Sequence, residues 1–415
     1  MRIAVVGAGW AGLTAAIELT AAGHPVELFE AGRVAGGRAR SVTLDGRLLD
    51  NGQHILLGAY RDTLAMMRHV GANPDTLLDR RPLAVIDPAG FRMQLPTLPA
   101  PFNVAWGLLS ASPIRWREKL ATARWMQSVK WRQFQVDPDC TVAQWLDAAG
   151  QTGPLRQQLW EPLCLAAMNT PAERASAQVF SNVLRDSLGS HHRDATDLLL
   201  PRVPLGELFP EPALRWLQAR GCQIRFRHRV RRLSTDETGV AIDGERFDSA
   251  VLALSPRHLA QCLPEVDVPT AFEPIATVYL QYPEKTRLPF PLIKLSKNVG
   301  QWVVDRGQGM LGCALSGHGD WEALDDAVLV HALHAELGLT EPLLWHGVIR
   351  EQRATHACLP GSRRRLPCSP SPRLALAGDC CYPEYPATLE AAVRSGKIAA
   401  ARLMASAPHS APTPA

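Results

Sequence analysis

Three glycines, Gly7, Gly9 and Gly12, are spaced G-x-G-x-x-G, and an acid, Glu30, follows eighteen residues after the last of them. Each position meets a separate requirement of holding a pyrophosphate. The first glycine permits a tight turn, the second lets backbone approach the phosphates, and the third lets a helix pack closely on a strand. The N-terminus of that helix offers free N–H groups and the positive end of its dipole. Glu30 stands where a carboxylate can accept hydrogen bonds from ribose hydroxyls. Just beyond it, Gly36-Gly37-Arg38 forms a loop in which backbone and a guanidinium can grip the same pyrophosphate.

Far along the chain, Gly378-Asp379 closes an apolar run at 374–377 and precedes Ala387-Thr388-Leu389-Glu390. A carboxylate there can accept a ribityl hydroxyl. A helix opening at Thr388 and Leu389 can face the N1–C2=O edge of an isoalloxazine, where reduced flavin carries negative charge. An Asx turn followed by a helix cap has the same local pattern. Joined to the N-terminal fingerprint, however, it selects FAD over NAD. Val230, at the head of a short expected strand, completes the residues expected around the cofactor. Only one dinucleotide fingerprint is present, so no second nucleotide site for an electron donor is read here.

These groups need a strand, a glycine turn, a helix and a second strand, and the opening RIAVVGAGWAGLTAAIELTAAGHPVELFE supplies them. Apolar positions recur at helical spacing over 13–19, and Gly23 suits a C-terminal cap. The βαβ rule makes the two strands parallel. From about 77 to 204 proline is frequent, helical periodicity dominates, and Trp106, Trp116, Trp125, Trp131, Trp145 and Trp160 accumulate. A helix is expected over 206–221, with strands near 223–227, 230–234, 240–243 and 250–254. Further strands follow near 275–282, 301–305 and 310–316, with a helix over 322–337. A last strand, 374–377, leads into a helix over about 387–404.

The expected fold class is therefore α/β. A Rossmann-like FAD-binding domain is assembled from segments 1–76, 205–265 and 350–405. A helix-rich α+β substrate domain, 77–204 and 266–349, is inserted in it. Residues 406–415 form a small-residue, Pro-rich tail expected to be disordered.

At 415 residues, with 46% hydrophobic and 20% charged residues, two globular domains are expected. A net charge of +4 lacks the dense basic stripe that nucleic-acid binding needs. Nine scattered cysteines without a C-x-x-C suit reduced thiols in a cytoplasmic protein, and no zinc-like spacing is present. No apolar run approaches the ~18 residues of a spanning helix. The segment 101–134 mixes FNVAWGLLS with basic and Trp-rich sequence, which suits a helix at a bilayer interface. A domain-packing helix with a solvated basic face reads the same way, so peripheral contact at the inner face of a membrane stands beside it as an expectation.

The glycine fingerprint with Glu30, GGRAR-S and the C-terminal GD…ATLEAAVRSG together resemble the flavin amine oxidase and phytoene desaturase superfamily. Within it the chain resembles the hydroxysqualene dehydroxylases over almost its whole length. The matching motifs are Asp50-Asn51-Gly52-Gln53-His54 with ILLGAY, Trp160-Glu161-Pro162-Leu163, Asn169-Thr170-Pro171, Arg174-Ala175-Ser176-Ala177, Asp197-Leu198-Leu199-Leu200-Pro201-Arg202 and Tyr385-Pro386-Ala387-Thr388-Leu389-Glu390. The chain departs from the superfamily at Ala391, where many members carry glycine; so small a change leaves FAD in place.

The resemblance implies an isoprenoid substrate and reductive loss of an allylic hydroxyl, giving squalene in bacterial squalene and hopanoid biosynthesis. An aromatic-lined, dry domain would hold the chain and could steady a passing cation. For proton transfer the resemblance places His54 in the loop beside the flavin, where an imidazole can donate to a leaving hydroxyl. A histidine that merely bonds backbone and positions the loop is the competing reading. Asp197, Tyr385 and Glu384 are further candidates, whereas His191-His192 reads as a solvated loop. The alternatives are a desaturase or amine oxidase running the flavin as oxidant, and a flavin-binding protein without turnover.

Overall fold

The computed structural model describes residues 1–295, 301–361 and 371–406. The basic run at 363–365 and the tail beyond 406 lie outside the described residues.

Strand β1 (Ile3–Val6), helix α1 (Trp10–Ala21) and strand β2 (Val26–Phe29) form the expected βαβ unit. Three strands from distant parts of the chain complete its sheet: β3 (Gln223–Arg225), β4 (Ser249–Leu252) and β5 (Leu374–Leu376). The order is β3-β2-β1-β4-β5, and every pairing is parallel. Such a sheet must be covered on both faces, and alternate side chains show that it is. Ile3, Val5, Leu28 and Val251 pack with α1 and the C-terminal helix Leu389–Ala405. Ala4, Val6, Phe29 and Leu252 pack instead with Val240, Ile242 and Phe247 of a small antiparallel sheet. This is a Rossmann-like α/β arrangement.

A second, antiparallel sheet runs in the order Leu292–Lys294, Trp302–Asp305, Met310–Ser316, Phe272–Gln281, Trp345–His356. Its period of two divides its side chains cleanly. Ala276, Val278, Val303, Cys313 and Leu315 face the helix Asp326–Leu337. Ile275, Trp302, Val304, Ala314 and Ser316 face the other way, into a large cavity. Helices dominate 77–204 as expected, among them α2 (Phe102–Ser110) and α3 (Trp116–Trp131).

Two expectations need correction. The helix foreseen over 206–221 is broken into Leu205–Leu208 and Pro210–Gln218. Pro210 has no N–H to continue a helical ladder and opens a new helix instead. The segment boundary foreseen between 349 and 350 falls inside the strand Trp345–His356, which pairs with Phe272–Gln281 on both sides of that point. The alternation of that strand is hard to read in the sequence because most of its positions are half-buried or exposed and it carries Arg350, Glu351 and Arg353, leaving little apolar signal.

Candidate active site

The carboxyl ends of β1 and β2 open on a cavity of about 1190 Å³, the position at which open parallel sheets bind their ligands. The three glycines of the first turn do different work. Gly7 has a φ of 106°, and a Cβ on it would lie 2.3 Å from the Ala253 carbonyl oxygen. A Cβ on Gly12 would lie 1.9 Å from the Gly7 oxygen. Both glycines are required by the fold itself. Gly9 is different: its nearest neighbour would be Gly37 Cα at an ordinary 3.8 Å, and it lines the cavity. The space its missing side chain leaves is available to a ligand, which fits a pyrophosphate. Gly36 N donates to Ala8 O at 2.8 Å, closing the glycine pair 36–37 over this turn.

Glu30 also lines the cavity, and its carboxylate accepts from Ala8 N at 2.8 Å and from Gly32 N at 2.6 Å. It braces the glycine turn while keeping lone pairs free for ribose hydroxyls. Val230 lies on the same wall. At the opposite side Thr388 Oγ1 accepts from Ala391 N at 3.1 Å and caps the C-terminal helix. Gly378, Thr388 and Leu389 line the cavity, so a helix N-terminus opens there.

Arg38 lines the cavity as well. Its guanidinium is directed at Asp379 (2.5 Å) and the Ala354 oxygen (2.8 Å), forming an ion pair inside the site. Burial alone would raise the Asp379 carboxyl, but Arg38 and then His356, 3.8 Å away, hold it below the usual carboxylate range. Asp379 is therefore ionised and accepts only, as a ribityl hydroxyl requires. A buried carboxylate needs such a partner, which is why the arginine is committed to it. His356 and the cavity-lining Glu351 belong to the strand that the sequence reading missed.

His54 lines the cavity. Its Nδ1 lies 2.9 Å from the Gly52 carbonyl oxygen, which can only accept, so the proton sits on Nδ1. Burial lowers the imidazole below its ordinary value, against the pull of the Gly52 carbonyl. The ring is consequently neutral at neutral pH, with Nε2 as an acceptor. Tyr60, from the motif ILLGAY, shares this cavity and had not been singled out; burial raises its phenol. One stretch of the wall is apolar, built from Leu83, Val85, Leu159, Leu163, Leu198 and Leu292.

Three of the catalytic candidates, Asp197, Tyr385 and Glu384, lie outside this cavity's lining. Asp197 is buried, and its carboxylate accepts from Arg193 at 3.0 Å and Arg80 at 3.3 Å, while its neighbours Thr196 and Leu198 face the cavity. Burial raises its carboxyl despite both arginines. Tyr385 donates its hydroxyl to Asp186, lies under the Arg394 guanidinium and is pushed upward by burial. Glu384 is paired with Arg185 at 3.1 Å. Each of the three is held by a charged partner. Asp197→Asn should cost about 1–3 kcal/mol of stability, read as a shifted denaturant midpoint, with FAD content and turnover per flavin unchanged.

The tryptophans also sort differently from expectation. Buried Trp125 packs edge-to-face against both Trp145 and Trp160, with centroids 5.0 and 5.1 Å away. Trp106, Trp116 and Trp131 are exposed. Two tryptophans outside that group line the cavity: Trp10, which opens α1, and Trp302, visible in the sequence only as one residue of a strand.

A glycine cradle for a dinucleotide that opens into an apolar chamber defines an FAD-dependent oxidoreductase. The chain belongs to the flavin containing amine oxidoreductase family, whose sequence profile matches residues 10–404. It is 30% identical to hydroxysqualene dehydroxylase of Rhodopseudomonas palustris over 97% of this chain and 98% of that one. It is 26% identical to hydroxysqualene dehydroxylase of Zymomonas mobilis over 95% and 97%. In fold it is similar to wild-type putrescine oxidase bound to putrescine (TM-score 0.71, 18% identity, 98% and 99% of the chains).

Proposed function

We propose that the enzyme replaces the allylic hydroxyl of hydroxysqualene with hydrogen, giving squalene for bacterial hopanoid synthesis. The observation that carries this reading is the long apolar wall, including Trp302 and Leu292, in the same cavity as the dinucleotide cradle. FAD, when bound and reduced, supplies a hydride; with one proton, the alcohol becomes hydrocarbon and water. In this reading Gly9, Gly36 and Gly37 seat the pyrophosphate, Glu30 the ribose and Asp379 the ribityl chain. The first turn of the C-terminal helix faces the flavin ring. The antiparallel sheet and the helices of 77–204 hold the isoprenoid and keep water away, which matters because a delocalised cation is otherwise quenched by solvent. In this reading His54 moves the proton. Among the described residues no helix is long and apolar enough to cross a membrane, and the enzyme meets its lipid-partitioned substrate as a peripheral protein.

The test is an anaerobic incubation of the protein with chemically reduced FAD and hydroxysqualene, with products identified by mass spectrometry. Squalene is expected, carrying deuterium when the flavin hydride is deuterated and solvent exchange is controlled. Recovery of the alcohol alone, with phytoene or an amine oxidised instead, would replace this reading with a desaturase or amine oxidase.

A further inference from the structure

We infer that the outer face of α2 and α3 is a docking surface for an anionic bilayer, backed directly by the wall of the substrate cavity. The inference rests on the isoprenoid reading above only for its purpose, since the surface itself is read from geometry and charge. On α2 the residues Phe102, Ala105, Trp106 and Leu109 fall at i, i+3, i+4 and i+7, one stripe of the helix. In an ordinary surface helix such a stripe faces the core. Here it faces outward: Phe102 and Leu109 are each 65% exposed and Trp106 56%. On α3, Trp116 is 68% and Trp131 79% exposed. Of the twelve large apolar side chains exposed among the described residues, seven lie between Leu98 and Trp131. A concentration of this kind marks an interaction site.

Charge names the partner. Between Leu98 and Val136 the sequence holds six cations, Arg115, Arg117, Lys119, Arg124, Lys130 and Arg132, and one acid, Glu118. Glu118 is turned inward, accepting from Leu155 N at 2.6 Å. Lys119 donates to the Leu109 carbonyl and ties α3 to the end of α2. What remains outside is bulky, aromatic and cationic, without an exposed carboxylate. Tryptophan flanked by lysine and arginine suits the headgroup level of a bilayer, with rings in the acyl boundary and cations among anionic phosphates.

The inner side of α2 connects this face to the site. Asn103, buried on α2, donates to Thr196 Oγ1 at 3.4 Å, and Thr196 lines the cavity. A Cβ on Gly107 would lie 2.7 Å from Leu95, whose N–H donates to Leu83 O, and Leu83 lines the cavity too. One layer of side chains therefore separates the exposed stripe from the chamber. A docked α2 would bring an apolar substrate in the bilayer next to the wall it must pass.

The experiment is co-sedimentation of the FAD-loaded protein with vesicles of phosphatidylcholine alone and of equimolar phosphatidylcholine and phosphatidylglycerol. Binding to the anionic vesicles is expected, weaker with added salt and weaker on the neutral ones. Each of Trp106→Ser and Trp131→Ser should reduce partitioning about tenfold. Each of Arg117→Glu and Arg124→Glu should reduce it about fivefold or more. FAD content and turnover of detergent-dispersed hydroxysqualene should stay at the unsubstituted level in all four, which shows that the fold survives. No sedimentation at low salt, or undiminished binding by the variants, would overturn the proposal. So would a dimer that the tryptophan variants convert to monomers, which would give the face to a second copy of the chain. If the unsubstituted protein binds vesicles but never turns over dispersed substrate, the reaction assignment fails and the docking surface stands.

Discussion

Gly9→Asp protein should purify folded and colourless, without bound FAD. The Cβ of the new residue meets nothing closer than Gly37 Cα at 3.8 Å, so the polypeptide itself tolerates it. The carboxylate then enters the space left for the pyrophosphate and adds like charge. Two unit charges about 4 Å apart repel by about 4 kcal/mol at the effective dielectric of a protein surface, roughly a thousandfold in affinity before steric exclusion is counted. Gly9→Ala should lose only part of its affinity, since a methyl group takes volume without charge. Gly7→Ala and Gly12→Ala should instead fail as folds, because their Cβ atoms would overlap backbone oxygens at 2.3 and 1.9 Å. Flavin absorbance after gel filtration and the thermal transition by circular dichroism separate the two kinds of loss. A Gly9→Asp protein that retains stoichiometric FAD would remove the phosphates from this turn.

His54→Ala should retain FAD and lose about 10²–10⁴-fold in single-turnover oxidation of the reduced flavin by hydroxysqualene, the usual range for a general acid. The structure adds a pH dependence. The imidazole is neutral at neutral pH with Nδ1–H given to Gly52, so it donates from Nε2 only as imidazolium. Burial sets its folded value below the ordinary one, so the acid form grows as pH falls through that lowered value and disappears as pH rises above it. Single-turnover rate should therefore climb toward the acidic end of about pH 5 to 8, and His54→Gln should flatten the climb. Gln keeps a hydrogen-bond donor without an acidic proton. Near-normal turnover by His54→Gln across that range would leave the histidine as a brace for the Gly52 loop. Loss of FAD from His54→Ala would move it to the cofactor and make Tyr60, which shares the cavity, the next donor to test.

How much of this site was legible in the residues depended on how local each feature was. The glycine turn, the acid after β2 and the Gly-Asp turn before the C-terminal helix each depend on a few neighbouring residues, whose backbone demands show directly in residue type. The apolar runs of β1, β2, β4 and β5 were equally plain, because strands buried on both faces carry unbroken apolar sequence. His54 was reached through its motif, and the structure places it in the cavity.

Asp197 and Tyr385 carry chemical groups that a catalytic site could use, and only the fold turns them toward Arg193 and Asp186. Thr196 ends a short 3₁₀ helix and lines the cavity, whereas Asp197, the extended residue after it, turns to Arg193 and Arg80. Trp302 reaches the chamber, while Trp160 is buried in a core and Trp131 left outside, although composition treats them alike. The sequence by itself determined the cofactor, the parallel sheet that presents it and the family. Tertiary structure decided which ionisable groups face the cavity, which are spent on ion pairs, and which apolar stripe is left uncovered. Those outcomes depend on contacts between residues such as Arg38 and Asp379, 341 positions apart, which no local pattern encodes.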